Sequence, residues 1–253
     1  MKVENIELSG NVLLAPMAGV TNLAYREFMK PFGVALTYSE MISDCGLIYG
    51  NKETYKYLDT SAYERPVALQ IFGGSKETLL KALEIIENQK DDYDFIDVNL
   101  GCPVPKVTKT GAGSAWLKRE DELFDMMSSL VKASKKPVTA KIRIGWDEQS
   151  INVERIVTIL QDAGVSLIAI HPRTRNQLYS GTANYERIKD IKKLLHIPLV
   201  ISGDIFTLES AIEAQKLTNA DGIMVARGAM GNPYLITQID RFFKTGEILP
   251  RIS

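Results

Sequence analysis

The chain has 253 residues, 45% apolar and 24% charged, enough for one large domain with its own core. A net charge of −1 gives no bulk case for a nucleic-acid or membrane partner, so any such case must be local. No apolar run approaches the roughly 20 residues that span a bilayer. The opening "MKVENIELSG" is no secretory leader, and two cysteines without metal-ligand spacing point to reduced thiols, a cytoplasmic location and no metal site.

Eight short apolar runs follow in order: "VLLAPM" 12–17, "ALTYSEM" 35–41, "VALQIF" 67–72, "FIDVNL" 95–100, "VTAKIR" 138–143, "LIAIHP" 167–172, "PLVISG" 198–203 and "GIMVAR" 222–227. Most are near-continuous in Val, Ile and Leu, as strands buried on both faces are. Between them lie amphipathic patterns that predict helices over 21–31, 75–89, 120–134, 150–163, 184–195 and 207–217, with a last one at about 232–244. Ser75 and Thr207 stand where helix caps belong, and Gly164 where a helix stops. The stretch 42–60 is irregular. Eight strands alternating with helices predict an α/β fold, a (β/α)8 TIM barrel, over an open doubly wound sheet, because no GxGxxG follows the first strand. The barrel is expected over residues 1–246, with 247–253 as an exposed tail.

In a barrel, chemistry collects where strands finish. Those positions hold Pro16, Met17 and Ala18; Gln70; Asn99 and then Cys102; Lys141 and Arg143; His171, Arg173 and Arg175; Ser202, Gly203 and Asp204; and Ala226 with Arg227. A lysine inside "VTAKIR" is costly in a dry core. Lys141 therefore either faces the wet mouth or holds an anionic ligand. Gly203-Asp204 and Arg227-Gly228 follow the seventh and eighth strands, where barrels bind phosphate at backbone N–H groups and a helix N-terminus. Cys102 is either a small turn-filling residue or a reactive group in a mobile, basic, glycine-rich loop whose lysines favour its thiolate. Segments 101–119 and 171–182 contain no acidic residue, and the first holds Lys106, Lys109, Lys118 and Arg119. That concentration is either solvated loop charge or a footprint for a polyanion such as RNA.

Seven stretches together resemble the tRNA-dihydrouridine synthase family, most closely its bacterial B type: "LAPMAGVTN" 14–22, "ALQIFGG" 68–74, "DVNLGCPVPKVTKTGAGSAWL" 97–117, "AKIRIGW" 140–146, "IAIHPRTRNQLYSG" 168–181, "VISGDI" 200–205 and "GIMVARGAMGNPYL" 222–235. The resemblance implies an FMN-binding TIM barrel that reduces uridine in tRNA to 5,6-dihydrouridine, with NADPH, or NADH, as reductant. It places Pro16, Met17 and Ala18 along the flavin, Gln70 and Lys141 at its pyrimidine edge, and His171 near the ring and phosphate side. Ser202, Gly203, Asp204, Ala226 and Arg227 would hold the ribityl phosphate. Hydride would pass to uracil C6 and Cys102 would protonate C5. Asn99 would hold the uracil carbonyl, Lys106, Arg173 and Arg175 would hold RNA phosphates, and Arg143 would complete the substrate site.

Three positions depart from the family pattern: Ser202 for Asn, Pro172 for Gly and Ala226 for Gly. The family's helical domain beyond the barrel, which helps grip tRNA, is expected to be absent, and a monomer is expected. The alternative function is a dihydroorotate dehydrogenase-like FMN oxidoreductase acting on a free pyrimidine. A non-catalytic RNA- or nucleotide-binding barrel is the third reading. The acid-free loops count against the free pyrimidine, and a proton donor beside Lys141 counts against a mere binder.

Overall fold

The computed structural model describes residues 1–250; the last three residues of the expected tail lie outside the described residues. Eight barrel strands run in chain order: β1 Val12–Leu14, β2 Thr37–Tyr38, β3 Val67–Phe72, β4 Phe95–Leu100, β5 Val138–Arg143, β6 Leu167–His171, β7 Leu199–Ser202 and β8 Gly222–Val225. All neighbours pair in parallel, from β2 through β8 and on to β1. Closure between β1 and β2 comes from a parallel bridge, Leu13 with Leu36, in which the Leu14 N–H donates to the Leu36 carbonyl at 3.0 Å. The expected (β/α)8 barrel is thus the fold.

Alternation along each strand sorts the residues. Ile96, Val98, Leu100, Ala140, Ile142, Ile168 and Ile170 face outward and pack under the helices. Leu13, Ala68, Phe95, Leu167, Ala169, Val200 and Met224 fill the lower barrel interior. The same inward parity carries the polar residues upward: Gln70 on β3, Asp97 and Asn99 on β4, Thr139, Lys141 and Arg143 on β5, and His171 on β6. Register sets Asp97 beside Thr139, Asn99 beside Lys141 and Arg143 beside His171.

Helices Leu23–Met29, Lys76–Gln89, Glu120–Ala133, Val153–Asp162, Leu208–Thr218 and Tyr234–Thr245 match the predicted patterns. Ser75 caps its helix by accepting from the Thr78 N–H, Thr207 builds a capping box with Ser210, and Gly164 takes φ +91° past its helix.

Three features differ from the sequence reading. The predicted helix 184–195 is two 3₁₀ turns, Tyr185–Ile188 and Ile191–Leu194. Its apolar residues Tyr185, Ile188 and Ile191 recur every third position, which suits a three-residue turn. The second strand breaks after Tyr38, and pairing with β3 resumes at Ile42–Ser43. There the Ser39 Oγ accepts the Gln70 N–H at 3.0 Å. Finally, an N-terminal hairpin, Lys2–Val3 with Ile6–Glu7, joins Val3 and Leu8 to the interior cluster. Two-residue strands are too short to show a period. At the other end, Gln238 Nε2 donates to the carbonyls of Leu249 and Pro250 at 3.1 and 3.2 Å, so this part of the expected tail lies along the last helix.

Candidate active site

A cavity of about 400 Å³ opens at the C-terminal mouth of the barrel. It gathers Pro16, Met17, Ala18, Asn99, Cys102, Lys141, Arg143, His171, Ser202, Gly203, Asp204, Ala226 and Arg227. Most of the residues singled out in the sequence therefore line one cavity. Those that do not are Gln70, Lys106, Arg173 and Arg175.

Lys141 is the unpaired cation of the site. No hydrogen-bond or ion-pair partner reaches its ammonium among the described residues. Burial, with Arg143 beside it, pulls its pKa from 10.5 to about 8, although Asp97 and Cys102 pull the other way. Arg143 is buried and donates through Nη1 to the Thr174 carbonyl at 2.7 Å. Lys141, Arg143 and Arg227 thus face a cavity whose lining includes one carboxylate, Asp204. That carboxylate is already committed.

Arg173 corrects an expectation. It is 1% exposed, so it cannot reach an RNA phosphate on the surface. Its guanidinium forks onto Asp204, with Nη1–Oδ1 2.9 Å and Nη2–Oδ2 2.7 Å, and also donates to the carbonyls of Ser180 and Gly181. Burial pushes the Asp204 carboxyl up, but the bonds from Arg173 and the Ala183 N–H, with Arg227 nearby, hold it below its ordinary value. This pair fixes the turn after β7, where Gly203 takes φ +111° and Asp204 φ +53°.

The same guanidinium sets the histidine. His171 Nε2 lies 3.1 Å from Arg173 Nη1. Arginine has only donors, so Nε2 accepts and the proton resides on Nδ1. Burial, reinforced by Lys141, Arg143, Arg173 and Arg227, pushes the His171 pKa far down, so the ring is neutral.

Two glycines leave room that no other residue would. A Cβ on Gly203 would meet His171 Cδ2 at 2.7 Å, and one on Gly228 would meet the Ile205 carbonyl at 2.0 Å. The turns after β7 and β8 therefore pack against each other beside Arg227. The helix N-terminus expected there is not free: only a three-residue 3₁₀ turn, Arg227–Ala229, follows β8, and the helix after β7 begins at Leu208 with its own cap.

Cys102 follows β4 by two residues. Its N–H donates to Asn99 Oδ1 at 2.8 Å, and its carbonyl accepts from the Ser114 N–H at 3.1 Å and Oγ at 2.8 Å. Farther along, Trp116 is buried and donates through Nε1 to the Gly73 carbonyl at 2.8 Å. Arg119 stacks 3.6 Å from the Trp116 ring and donates to the Gly74 carbonyl. The loop expected to be mobile is thus pinned to the loop after β3. Nor do its lysines govern the thiol. Burial pushes the Cys102 pKa up, against the weaker pull of the Val104 N–H, Arg143 and Lys141. The side chain is a thiol at neutral pH, the form that holds a proton to give.

Gln70 and Asn99 lie deeper than expected. Gln70 is fully buried; its Nε2 donates to Asp97 at 2.6 Å and its Oε1 accepts from Asn99 Nδ2 at 2.9 Å. Asn99 Nδ2 also contacts Met41 Sδ at 3.0 Å. Lys106 is exposed on the short helix Pro105–Thr108. Arg175 Nη2 donates to Thr108 Oγ1 at 3.3 Å, and its guanidinium lies 4.6 Å from the Trp146 ring. That bond joins the two acid-free segments at one rim.

Sequence reasoning missed Tyr179 and Phe206, both exposed at the cavity edge. The Arg227 guanidinium lies 5.0 Å from the Tyr179 ring and 5.6 Å from that of Phe206. It also missed Asp97, although a carboxylate inside "FIDVNL" is the same kind of signal as the lysine inside "VTAKIR".

The sequence profile of the dihydrouridine synthase (Dus) family matches residues 13–253, nearly the whole chain. The chain belongs to the dihydrouridine synthase family. The probable tRNA-dihydrouridine synthase of Rickettsia bellii is 39% identical over 100% of this chain and 77% of its own length. Relatives named tRNA-dihydrouridine synthase B in Xanthomonas axonopodis and Pseudomonas aeruginosa are 36% and 35% identical, covering 99% and 96% of this chain and 75% and 73% of their own. Among solved structures, the old yellow enzyme homologue from Zymomonas mobilis superposes over 100% of this chain and 93% of its own with a TM-score of 0.64 at 12% identity. The Amycolatopsis orientalis BexX/CysO complex does so over 100% and 98% with a TM-score of 0.58 at 13%. At such identities these two show a shared barrel fold. Among the described residues, no helix is long and apolar enough to cross a membrane.

Proposed function

We propose that this chain reduces uridine in tRNA to 5,6-dihydrouridine, with FMN in the barrel mouth, NADPH as reductant and Cys102 as the proton donor. The observation that carries the reading is the meeting of a protonated, backbone-pinned thiol with the unpaired Lys141 ammonium in one cavity. The names of the relatives support tRNA as substrate, and the rim where Arg175 meets the Cys102 loop suits a polyanion better than a free base.

The residues present fit a flavin mononucleotide. Lys141 offers an unused positive charge to an anionic ring edge, and the close-packed Gly203 and Gly228 turns beside Arg227 make a compact place for a phosphate. Pro16, Met17 and Ala18 would lie along the ring, with His171 presenting its Nδ1–H. Ser202, Gly203, Asp204, Ala226 and Arg227 would hold the phosphate end. Asp204 would do so through its backbone, since its carboxylate is held by Arg173. Gln70 keeps one amide hydrogen beyond its bond to Asp97.

When bound and reduced, the flavin supplies hydride to uracil C6. Everything else falls to this chain. A uridine extruded from the RNA stack would enter the mouth past Tyr179 and Phe206. Cys102 would hold its proton against C5 until carbon needs it. Asn99 would offer its amide N–H to a uracil carbonyl by exchanging its weak contact with Met41. Arg143 would lie beside the base, while Lys106 and Arg175 meet phosphates outside.

The test is incubation with NADPH and unmodified tRNA, read by nucleoside analysis. Dihydrouridine is expected in the wild type and roughly 10²–10⁴-fold less with Cys102→Ala, the usual worth of a general acid, while flavin reduction by NADPH persists. Colourless protein that refuses added FMN, or turnover of free orotate or uracil alone, would overturn the proposal.

A further inference from the structure

A buried polar chain crosses the barrel beneath the cavity. Thr139 Oγ1 donates to Asp97 Oδ1 at 2.6 Å, and Gln70 Nε2 donates to Asp97 Oδ2 at 2.6 Å. Gln70 Oε1 accepts from Asn99 Nδ2 at 2.9 Å. Asn99 Oδ1 then accepts the Gly101 and Cys102 N–H groups at 3.2 and 2.8 Å. Asp97, Gln70 and Thr139 are fully buried, so water does not interrupt the sequence.

The direction of this chain is its chemical content. A primary amide is nearly symmetric in shape, and Gln70 or Asn99 turned end for end would fill the same space with donor and acceptor exchanged. If Asn99 turned, its NH₂ would face two N–H donors and the turn that holds Cys102 would lose both bonds. Those two N–H groups select one polarity from the Cys102 end, and the far end of the chain must agree with it. An ionised carboxylate accepts and never donates. It compels Gln70 to present nitrogen, which turns the Gln70 oxygen toward Asn99 and the Asn99 oxygen toward Cys102.

We propose that Asp97 is a positioning residue whose carboxylate fixes the polarity of the Gln70–Asn99 amide chain and through it the seat of Cys102. The inference rests on Cys102 being the proton donor of the proposed reaction. Asp97 never touches substrate; it acts through two intervening amides. The other titratable groups facing it are Lys141 from β5 and Tyr38 from β2. Burial pushes the Asp97 carboxyl up to about 6, against the hydrogen bonds of Gln70 and Thr139 and the charge of Lys141, which leaves it ionised at neutral pH.

The polarity argument predicts an exchange rescue. Asp97→Asn keeps shape and volume but removes the acceptor-only end, leaving the polarity held by the Gly101 and Cys102 N–H groups alone. Adding Gln70→Glu restores an acceptor-only group facing Asn99, with Asn now donating to the new carboxylate. The readout is the rate at which Cys102 is alkylated by iodoacetamide at pH 8.5, in a Cys45→Ser background where no other cysteine remains. Asp97→Asn should raise the rate roughly fivefold, the population change that goes with one lost hydrogen bond. Asp97→Asn with Gln70→Glu should bring it back to within about twofold of the parent. Thr139→Val, which removes a donor but leaves the polarity intact, should react at the parent rate. An unchanged or lower rate in Asp97→Asn, no recovery in the double variant, or an equal rise in Thr139→Val would overturn the proposal. Alkylation needs neither flavin nor RNA, so its outcome is separable from a failure to form dihydrouridine. In active enzyme, Asp97→Asn should lower kcat for dihydrouridine formation and leave KM for tRNA in place.

Discussion

Replacing Lys141 by methionine separates stability from binding, because the two move in opposite directions. The ammonium is held at a pKa of about 8 against an ordinary 10.5, chiefly by burial. At about 1.4 kcal/mol per pH unit, keeping the charge there costs the cofactor-free fold roughly 3 kcal/mol. Lys141 borders an open cavity, and water screening reduces this to about 1.5 kcal/mol. Because the folded-state value is the lower one, the cost is full below pH 8 and fades as pH climbs from 8 to 10.5. Lys141→Met, close in volume, should therefore resist urea better than the parent by about 1.5 kcal/mol at pH 7, and by less at pH 9.5. The same change removes a charged donor from the flavin's anionic edge, so FMN affinity should drop roughly 10- to 100-fold, read by flavin fluorescence titration. A variant no more stable than the parent at pH 7, or one that binds FMN normally, would refute the placement of an unpaired ammonium in this cavity.

Two further outcomes follow from the phosphate side. Gly228→Ala pushes a methyl group to 2.0 Å from the Ile205 carbonyl, so the turns after β7 and β8 must separate. FMN affinity should fall by about tenfold or more while the circular dichroism spectrum stays that of the parent. Arg173→Met strands Asp204, which is 26% exposed, without its forked partner. Breaking a buried pair costs about 3–5 kcal/mol; partial hydration of Asp204 should bring the loss to about 2–3 kcal/mol in urea unfolding, little changed by added salt.

What the sequence determined by itself was whatever local pattern encodes. The parallel strands are legible because burial on both faces leaves uninterrupted apolar runs, and helix starts are legible where Ser75 or Thr207 stands ready as a cap. Lys141 was legible because a charge inside such a run has to face something. Asp97 carried the same signal, yet its meaning lay in partners 27 and 42 residues away, and only barrel closure brings those together. Arg173 reads as a loop cation until the fold sets Asp204 against it, 31 residues on, and buries both the charge and the expected RNA contact. The lysines around Cys102 favour a thiolate in a loose loop, whereas a proton donor needs the thiol, and sequence alone left the two open. Tertiary structure decided for a thiol, because Trp116 and Ser114 fasten the loop and burial outweighs the nearby cations. Chain order and alternation decide which residues face inward. The charge state, the polarity of each amide and the access of each side chain depend on groups that meet only once the barrel is closed.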